Sequence, residues 1–401
     1  MARAHRSPSG GIAGPLEEGL AQAGELWMAA PAAGGVMTPR DIRRDDREVG
    51  MKAQVLNRYD DDLSAPSWVD FEDVPDPKIT TPTDVIVRLG GAGVCRTDLH
   101  IIEGVWRPNM DPTGKGLLPL IMGHENAGWV EEVGSAVTGL HKGDPVIVHP
   151  KITEGSLLVH RRGHDMHGPG RFPGLDSSGG GYAEAMVTSV RNIVMLPKTL
   201  APKDVAPYAD AGLTAYRVVK KAVRELLPGQ FCVVIGVGGL GHIGIQCLKA
   251  MSAAEIIVVA RSDQSLKLAR ESGADHLVKA DGSEFDTVMS LTKGEGAEAV
   301  IDFVGEKGTT SLGLKMTRPL GNYYIVGYGE NINIPAVDLI ITEKSIIPSL
   351  VGTWAELAEL MALADRGLVR LVTQEYSLKD ANNALKDLNA GKVNGRAVLI
   401  A

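Results

Sequence analysis

The 401-residue sequence reads as an α/β protein of two lobes, one β-rich and one built on a doubly wound parallel sheet. From Met51 onward, short alternating runs such as 84–89 and 128–133 are punctuated by Gly and Pro turns, the pattern of half-buried strands. Beyond Asp210, apolar strand runs alternate with helical segments, which indicates βαβ units and a parallel sheet. One such run, Phe231–Ile235, is followed at once by Gly236-Val237-Gly238-Gly239-Leu240-Gly241 and a helical stretch over 242–251. A G-x-G-x-x-G turn between a strand and a helix lets backbone approach a pyrophosphate at the positive helix N-terminus.

Residues 1–50 are rich in Ala, Gly, Pro and Arg and hold no helical or strand period, so they are expected to be a disordered extension. Gly and Pro interrupt any apolar core that a secretory signal would need. Met51-Lys52-Ala53-Gln54-Val55-Leu56 reads as the start of a folded domain, which leaves an over-extended gene start as the alternative to a real arm. Residues 142–148 repeat the turn-and-strand theme, and 151–178 are loop-like. Further strands are expected at 255–259, 299–304 and 322–326. Amphipathic helices over 354–365 and 381–389 then precede a last strand at 397–400.

Composition excludes several classes. No run of about 18 apolar residues exists to cross a bilayer, so no membrane association is expected. A net charge of −8 opposes a polyanion, and no basic stripe with interleaved aromatics supports nucleic-acid binding. Three cysteines cannot form a disulfide framework and suit a reducing cytoplasm. Two of them, Cys232 and Cys247, fall in apolar strand and helix patterns and read as core.

The chemistry is concentrated in Gly93-Val94-Cys95-Arg96-Thr97-Asp98-Leu99-His100, which packs a thiol, a cation, a hydroxyl, a carboxylate and an imidazole together. Gly123-His124-Glu125-Asn126 follows, and Asp210 stands in Tyr208-Ala209-Asp210-Ala211-Gly212-Leu213-Thr214. Cys, His and Asp supply S, N and O donors, and three protein donors with a fourth position open is how a catalytic zinc site is built.

These motifs, in this order and spacing, resemble the zinc-dependent medium-chain alcohol dehydrogenases over essentially 51–401. The resemblance implies a GroES-like catalytic domain over 51–210, completed by 353–401, around a Rossmann domain at 211–352. It implies Cys95, His124 and Asp210 as zinc ligands; many relatives carry a second Cys where this chain has Asp210, and a carboxylate leaves the metal a harder Lewis acid. Glu125 resembles a glutamate that supports or transiently joins the metal, and Asp98 the carboxylate that orients the ligating histidine. Thr97 and His100 match the ends of a proton relay running through the cofactor ribose, and an ordinary histidine pKa of about 6.5 suits exchange with solvent. Arg96 and Arg396 match contacts to the cofactor pyrophosphate, alongside Gly236, Gly238, Gly239 and Gly241. Trp106 resembles an aromatic wall of the substrate pocket.

Two departures stand out. The family's structural zinc uses four cysteines spaced C-x2-C-x2-C-x7-C, and the matching positions here are Glu154, Leu157, His160 and Gly168. Leu and Gly cannot bind metal, so one catalytic zinc and no structural one is expected, although His164 and His167 lie close enough in sequence to Glu154 and His160 to suggest a substitute Glu/His site. An NAD enzyme normally has a carboxylate on the ribose at the end of the strand after the fingerprint. Here that position is Ala260, followed by Arg261 and Ser262, so the reading leans to NADP over NAD. Arg-Ser also follows the Asp in NAD-using relatives, so only the alanine is informative.

The expected activity is therefore zinc-dependent hydride transfer between a primary or secondary alcohol and NAD(P)+, giving an aldehyde or ketone, in a homodimer or homotetramer. A zinc-free quinone or enoyl reductase would lack Cys95, His124 and Asp210. A silent nucleotide-binding protein would be expected to lose Thr97 and His100.

Overall fold

The computed structural model describes residues 50–110 and 116–401; the extension expected over 1–50 lies outside them apart from Gly50. The first strands are β1 (Met51–Leu56), β2 (Asp70–Val74) and β3 (Asp84–Val94). Helix α1 (Arg96–Ile102) follows, then β4 (Leu120–Ile121), β5 (Glu125–Val133), β6 (Pro145–Val148), β7 (Ala185–Ser189) and β8 (Ile193–Met195). Helix α2 (Ala211–Ala222) leads into the parallel-sheet lobe. There β9 (Phe231–Ile235), α3 (Gly241–Met251), β10 (Glu255–Ala260), α4 (Asp263–Glu271) and β11 (His276–Lys279) form its first half. The second half is α5 (Glu284–Leu291), β12 (Ala297–Asp302), α6 (Thr309–Met316), β13 (Thr317–Ile325), α7 (Ala336–Thr342) and β14 (Ser345–Pro348). Last come α8 (Trp354–Asp365), β15 (Thr373–Ser377), α9 (Ala381–Asn389) and β16 (Arg396–Ile400).

The fold class is the expected one. Six parallel strands run in the order β11-β10-β9-β12-β13-β14, the doubly wound arrangement whose order reverses between β9 and β12. Strands covered on both faces read as unbroken apolar runs, as 232–235 does. Alternate side chains go to opposite faces: Cys232 and Val234 pack with Ile256 and Val258, whereas Val233 and Ile235 pack with Ile257 and Val259. The strand expected at 299–304 ends at Asp302, because its carboxylate accepts the backbone N–H groups of Val304 (2.8 Å) and Gly305 (3.0 Å) and turns the chain.

The other lobe centres on the sheet β15-β16-β3-β5-β6-β8, with β7 also on β3 and with β2-β1-β4 as a smaller sheet. Three strands of it position the chemistry. Antiparallel pairing sets Gly93 opposite Glu125 and Ala397 opposite Val94, so the ends of β3, β5 and β16 converge. Gly93 is required there, because a Cβ would collide with the Glu125 carboxylate.

His242, the second residue of α3, is fully buried, and its Nδ1 lies 2.8 Å from the Gly238 carbonyl, to which the neutral ring donates. Burial, with Arg396 adding to it and the bond to Gly238 opposing, pulls its pKa from 6.5 to about 4. The unfolded chain then takes up this proton first, so stability is lost as pH falls from about 6.5 to 4. Urea unfolding at pH 7 and pH 4.5 should show about 2 to 3 kcal/mol lost through this group, and a His242→Gln variant should lack that component.

Candidate metal and coenzyme centre

Cys95 caps α1: its backbone N–H donates to Asp98 Oδ2 at 2.8 Å, and its Sγ lies 3.7 Å from Thr97 Oγ1. His124 sits in the turn before β5, which Gly123 enters at a φ of 95° and Asn126 fastens by donating to the Gly123 carbonyl at 3.1 Å. Asp210 ends a 3₁₀ turn (Ala206–Ala209) and precedes α2. Donor atoms of Cys95, His124, Glu125 and Asp210 all lie within 4.8 Å of one another, and among the described residues this is the one such group of three or more.

The group is charged like a cation site. His124 Nδ1 faces Asp98 Oδ1 at 3.3 Å and Nε2 faces Asp210 Oδ2 at 3.5 Å, yet neither nitrogen completes a hydrogen bond. A fully buried imidazole with an unsatisfied Nε2 beside a thiol and a carboxylate fits a metal ion with S, N and O ligands. Burial alone would lower the His124 pKa, but Asp98, Asp210 and Cys95 together hold it well above 6.5, which reports the negative potential of the cavity.

Asp98 is in turn held by Tyr182, whose buried hydroxyl donates to Oδ2 at 2.8 Å. Tyr182 was not anticipated from sequence; its signal was a lone aromatic after the glycine run 179–181, since a buried tyrosine needs a partner for its hydroxyl. Glu125 is fully buried: Oε1 accepts the Ala211 N–H at 3.0 Å, and Oε2 forms an ion pair with Arg396. Burial pushes the Glu125 pKa up against the pull of Arg396, with Asp210 reinforcing the rise.

Arg396 was expected on a pyrophosphate. Its guanidinium is spent in part on Glu125, yet it also borders the glycine turn, since a Cβ at Gly239 would collide with Nη1. Gly236 adopts a φ of 91°, Gly241 packs on the Gly236 carbonyl, and Gly238 faces open space. Arg96 is exposed and donates to Asn389 on α9 at 3.2 Å. Ala260 is buried at the end of β10, and Arg261 is exposed. Ser262 is engaged as the N-cap of α4, accepting the Ser265 N–H at 3.1 Å.

His100 Nδ1 lies 3.0 Å from the Tyr328 hydroxyl, and Trp106 stands edge-on to the same ring with centroids 5.5 Å apart. Tyr328, too, was missed; the sequence cue is an aromatic between Gly327 and Gly329 at the end of a parallel strand. Away from this centre, Glu154 and Leu157 are exposed, and buried His160 sits against Gly168. The rings of His164 and His167 are 6.3 Å apart, and Asp165 is engaged by Thr153 and Arg191.

A glycine turn at the switch point of a parallel sheet, linked through Arg396 to a largely buried Cys/His/Asp/Glu group, is the arrangement of a metal-dependent dehydrogenase. Residues 81–198 match the alcohol dehydrogenase GroES-like domain and residues 239–366 the zinc-binding dehydrogenase domain. An NAD-dependent alcohol dehydrogenase of Sulfolobus acidocaldarius is 36% identical over 355 residues, covering 87% of this chain and 99% of that one. The D-arabinose 1-dehydrogenase (NADP(+)) of Saccharolobus solfataricus is 33% identical over 358 residues, covering 88% and 98%. The crystal structure of the alcohol dehydrogenase from Aeropyrum pernix superposes with a TM-score of 0.81 at 44% identity, covering 87% of this chain and all of that one. The chain belongs to the zinc-type medium-chain alcohol dehydrogenase family, and it is an alcohol dehydrogenase of the NAD(P)-linked class.

Proposed function

We propose that Cys95, His124 and Asp210 hold a single zinc and that the enzyme interconverts alcohols with aldehydes or ketones at this centre. The observation that carries the reading is the donor group of buried Cys95, His124 and Glu125 with part-buried Asp210, which has Thr97 beside Cys95. A zinc there supplies Lewis acidity toward an alcohol oxygen, and a nicotinamide dinucleotide on the glycine turn supplies the hydride acceptor. The residues do the rest. Asp98, steadied by Tyr182, orients His124; Thr97 takes the alcohol's proton; His100 delivers it to solvent; Trp106 walls the substrate side. Arg96, Arg396 and the glycines 236, 238, 239 and 241 receive the dinucleotide. Zinc analysis combined with a panel of alcohols and both cofactors tests this. About one zinc per chain and turnover of a primary or secondary alcohol are expected, and two tightly held zincs would assign metal to Glu154 and its neighbouring histidines.

Cofactor choice rests on Ala260, which removes a carboxylate that would repel a 2′-phosphate and so leans to NADP, whereas several relatives are named NAD-dependent. Ala260→Asp should move the ratio of specificity constants toward NAD by about tenfold to a hundredfold, an effect of about 1 to 3 kcal/mol. An unchanged ratio would make the alanine merely permissive.

A homodimer or homotetramer is supported by β14, which among the described residues ends the parallel sheet with one edge unpaired, and by the apolar residues near it. Ile340 and Ile341 are 73% and 77% exposed, and Leu320 is 64% exposed. Light scattering should find an oligomer, and Ile341→Glu should shift it toward monomer. No described helix is long and apolar enough to cross a membrane, and the three free, buried cysteines suit a cytoplasmic enzyme.

A further inference from the structure

We infer that Tyr328 is a positioning residue for His100: its hydroxyl accepts the Nδ1–H of the imidazole and so leaves Nε2 as the basic nitrogen that takes the relayed proton. The inference rests on the relay reading of Thr97 and His100 and leaves that path as it stands. Nδ1 of His100 lies 3.0 Å from the Tyr328 hydroxyl, and among the described residues this is the hydrogen bond the ring makes. The bond made at one nitrogen of a histidine settles where the proton of the neutral ring sits. A phenol hydroxyl can serve Nδ1 as donor or as acceptor. As donor it would put the ring proton on Nε2 and leave no lone pair for the relay. As acceptor it keeps the ring proton on Nδ1 and frees Nε2.

The two residues come from different lobes. His100 lies on α1, beside the sheet built on β3, whereas Tyr328 reaches it from the parallel-sheet lobe, on the turn after β13. The Tyr328 ring stands edge-on to both His100 and Trp106, each at 5.5 Å between centroids, which limits its swing. The turn is held on both sides of the tyrosine. The Gly327 N–H donates to the Asp302 carbonyl at 3.1 Å, and a Cβ at Gly327 would collide with the Val304 backbone. Glu330 accepts the N–H groups of Gly308 (2.7 Å) and Thr310 (2.9 Å) at the start of α6. Arg96 and Asp98 face His100 from its own helix, and Tyr328 meets it from the other lobe. Burial and then Arg96, with Asp98 opposing, bring His100 to about 4, so the ring enters the reaction neutral. Burial raises Tyr328 to about 12, so it stays a phenol. When Nε2 gains the proton, the ring becomes an imidazolium whose Nδ1–H is still held by the Tyr328 oxygen. That bond is now charge-assisted and stronger than the neutral one, which favours the transfer. Nε2 then releases its proton to water, with no change of tautomer and no ionised tyrosine.

Tyr328→Phe keeps the ring and removes only the acceptor. NMR of isotope-labelled histidine nitrogens in the zinc-loaded protein without cofactor reads the tautomer directly, with the His100 signals identified by their loss in His100→Gln. The parent should carry its proton on Nδ1 with Nε2 bare, and Tyr328→Phe should show protonated Nε2. A parent with the proton on Nε2 would overturn the inference outright. In turnover, Tyr328→Phe should lower kcat about tenfold near pH 7 with little change in the alcohol KM, and the loss should close by about pH 10, where hydroxide removes the proton without His100. Added to His100→Gln, it should cost nothing further, because it acts through that ring. A loss equal at every pH, or one that adds to His100→Gln, would reduce Tyr328 to a packing residue and overturn the inference. A His100→Gln enzyme as fast as the parent would strike down the relay reading itself while the tautomer of His100 stayed as found, so the two failures are told apart.

Discussion

Replacing His124 with alanine should abolish alcohol oxidation while the dinucleotide still binds. His124 presents a buried nitrogen with no completed hydrogen bond to the Cys95, Glu125 and Asp210 group, so on the proposed assignment its loss removes a ligand and leaves an uncompensated negative cavity. Metal-assisted polarisation of an alcohol is worth several kcal/mol, and four of those correspond to about a thousandfold in rate, so kcat/KM should fall by at least about that factor. Cys95→Ala should do the same, and the double variant should be no worse than either, because the ligands act as a unit. The glycine turn over 236–241 belongs to the other lobe, so NAD(P)H titrated by fluorescence should bind within about twofold of the parent. Elemental analysis should show zinc lost in both variants. Parallel loss of dinucleotide binding would mean that the metal group holds the lobes together instead of serving chemistry.

How much of this was legible in the sequence depended on separation along the chain. The strand over 231–235 and the glycine turn after it are local patterns, and so is the Cys95-to-His100 cluster, because one capped helical turn carries it. Partners brought together by register were not legible. Tyr182 and Asp98 are 84 residues apart, Tyr328 and His100 are 228 apart, and Arg396 and Glu125 are 271 apart. No periodicity reports which residue will face another once β3, β5 and β16 pair. Ser262 illustrates a different limit: a serine after a strand can serve as a phosphate contact, a helix cap or both, and the cap becomes visible only with the helix start at Asp263.

Arg396→Met should be the most destabilising single change at this centre. Glu125 is fully buried, Arg396 is 4% exposed, and their ion pair lies under the metal group between β5 and β16. Burial opposes the charge on Arg396, but Glu125 first and Cys95 next more than offset it and hold its pKa above the usual value. Removing the cation strands a carboxylate among Cys95 and Asp210 with no water to solvate it, a cost of about 3 to 5 kcal/mol. Glu125→Gln should cost a similar amount by stranding the guanidinium. The pair carrying both changes should recover most of that loss, since two neutral side chains of similar volume leave no buried charge behind. Urea unfolding of the four proteins gives the coupling directly. A bound zinc supplies part of the missing positive charge, so the Arg396→Met deficit should be smaller in zinc-loaded protein than after chelation. Additive single-variant losses, or a deficit indifferent to zinc, would show that Arg396 is held by packing and by the glycine turn instead of by Glu125.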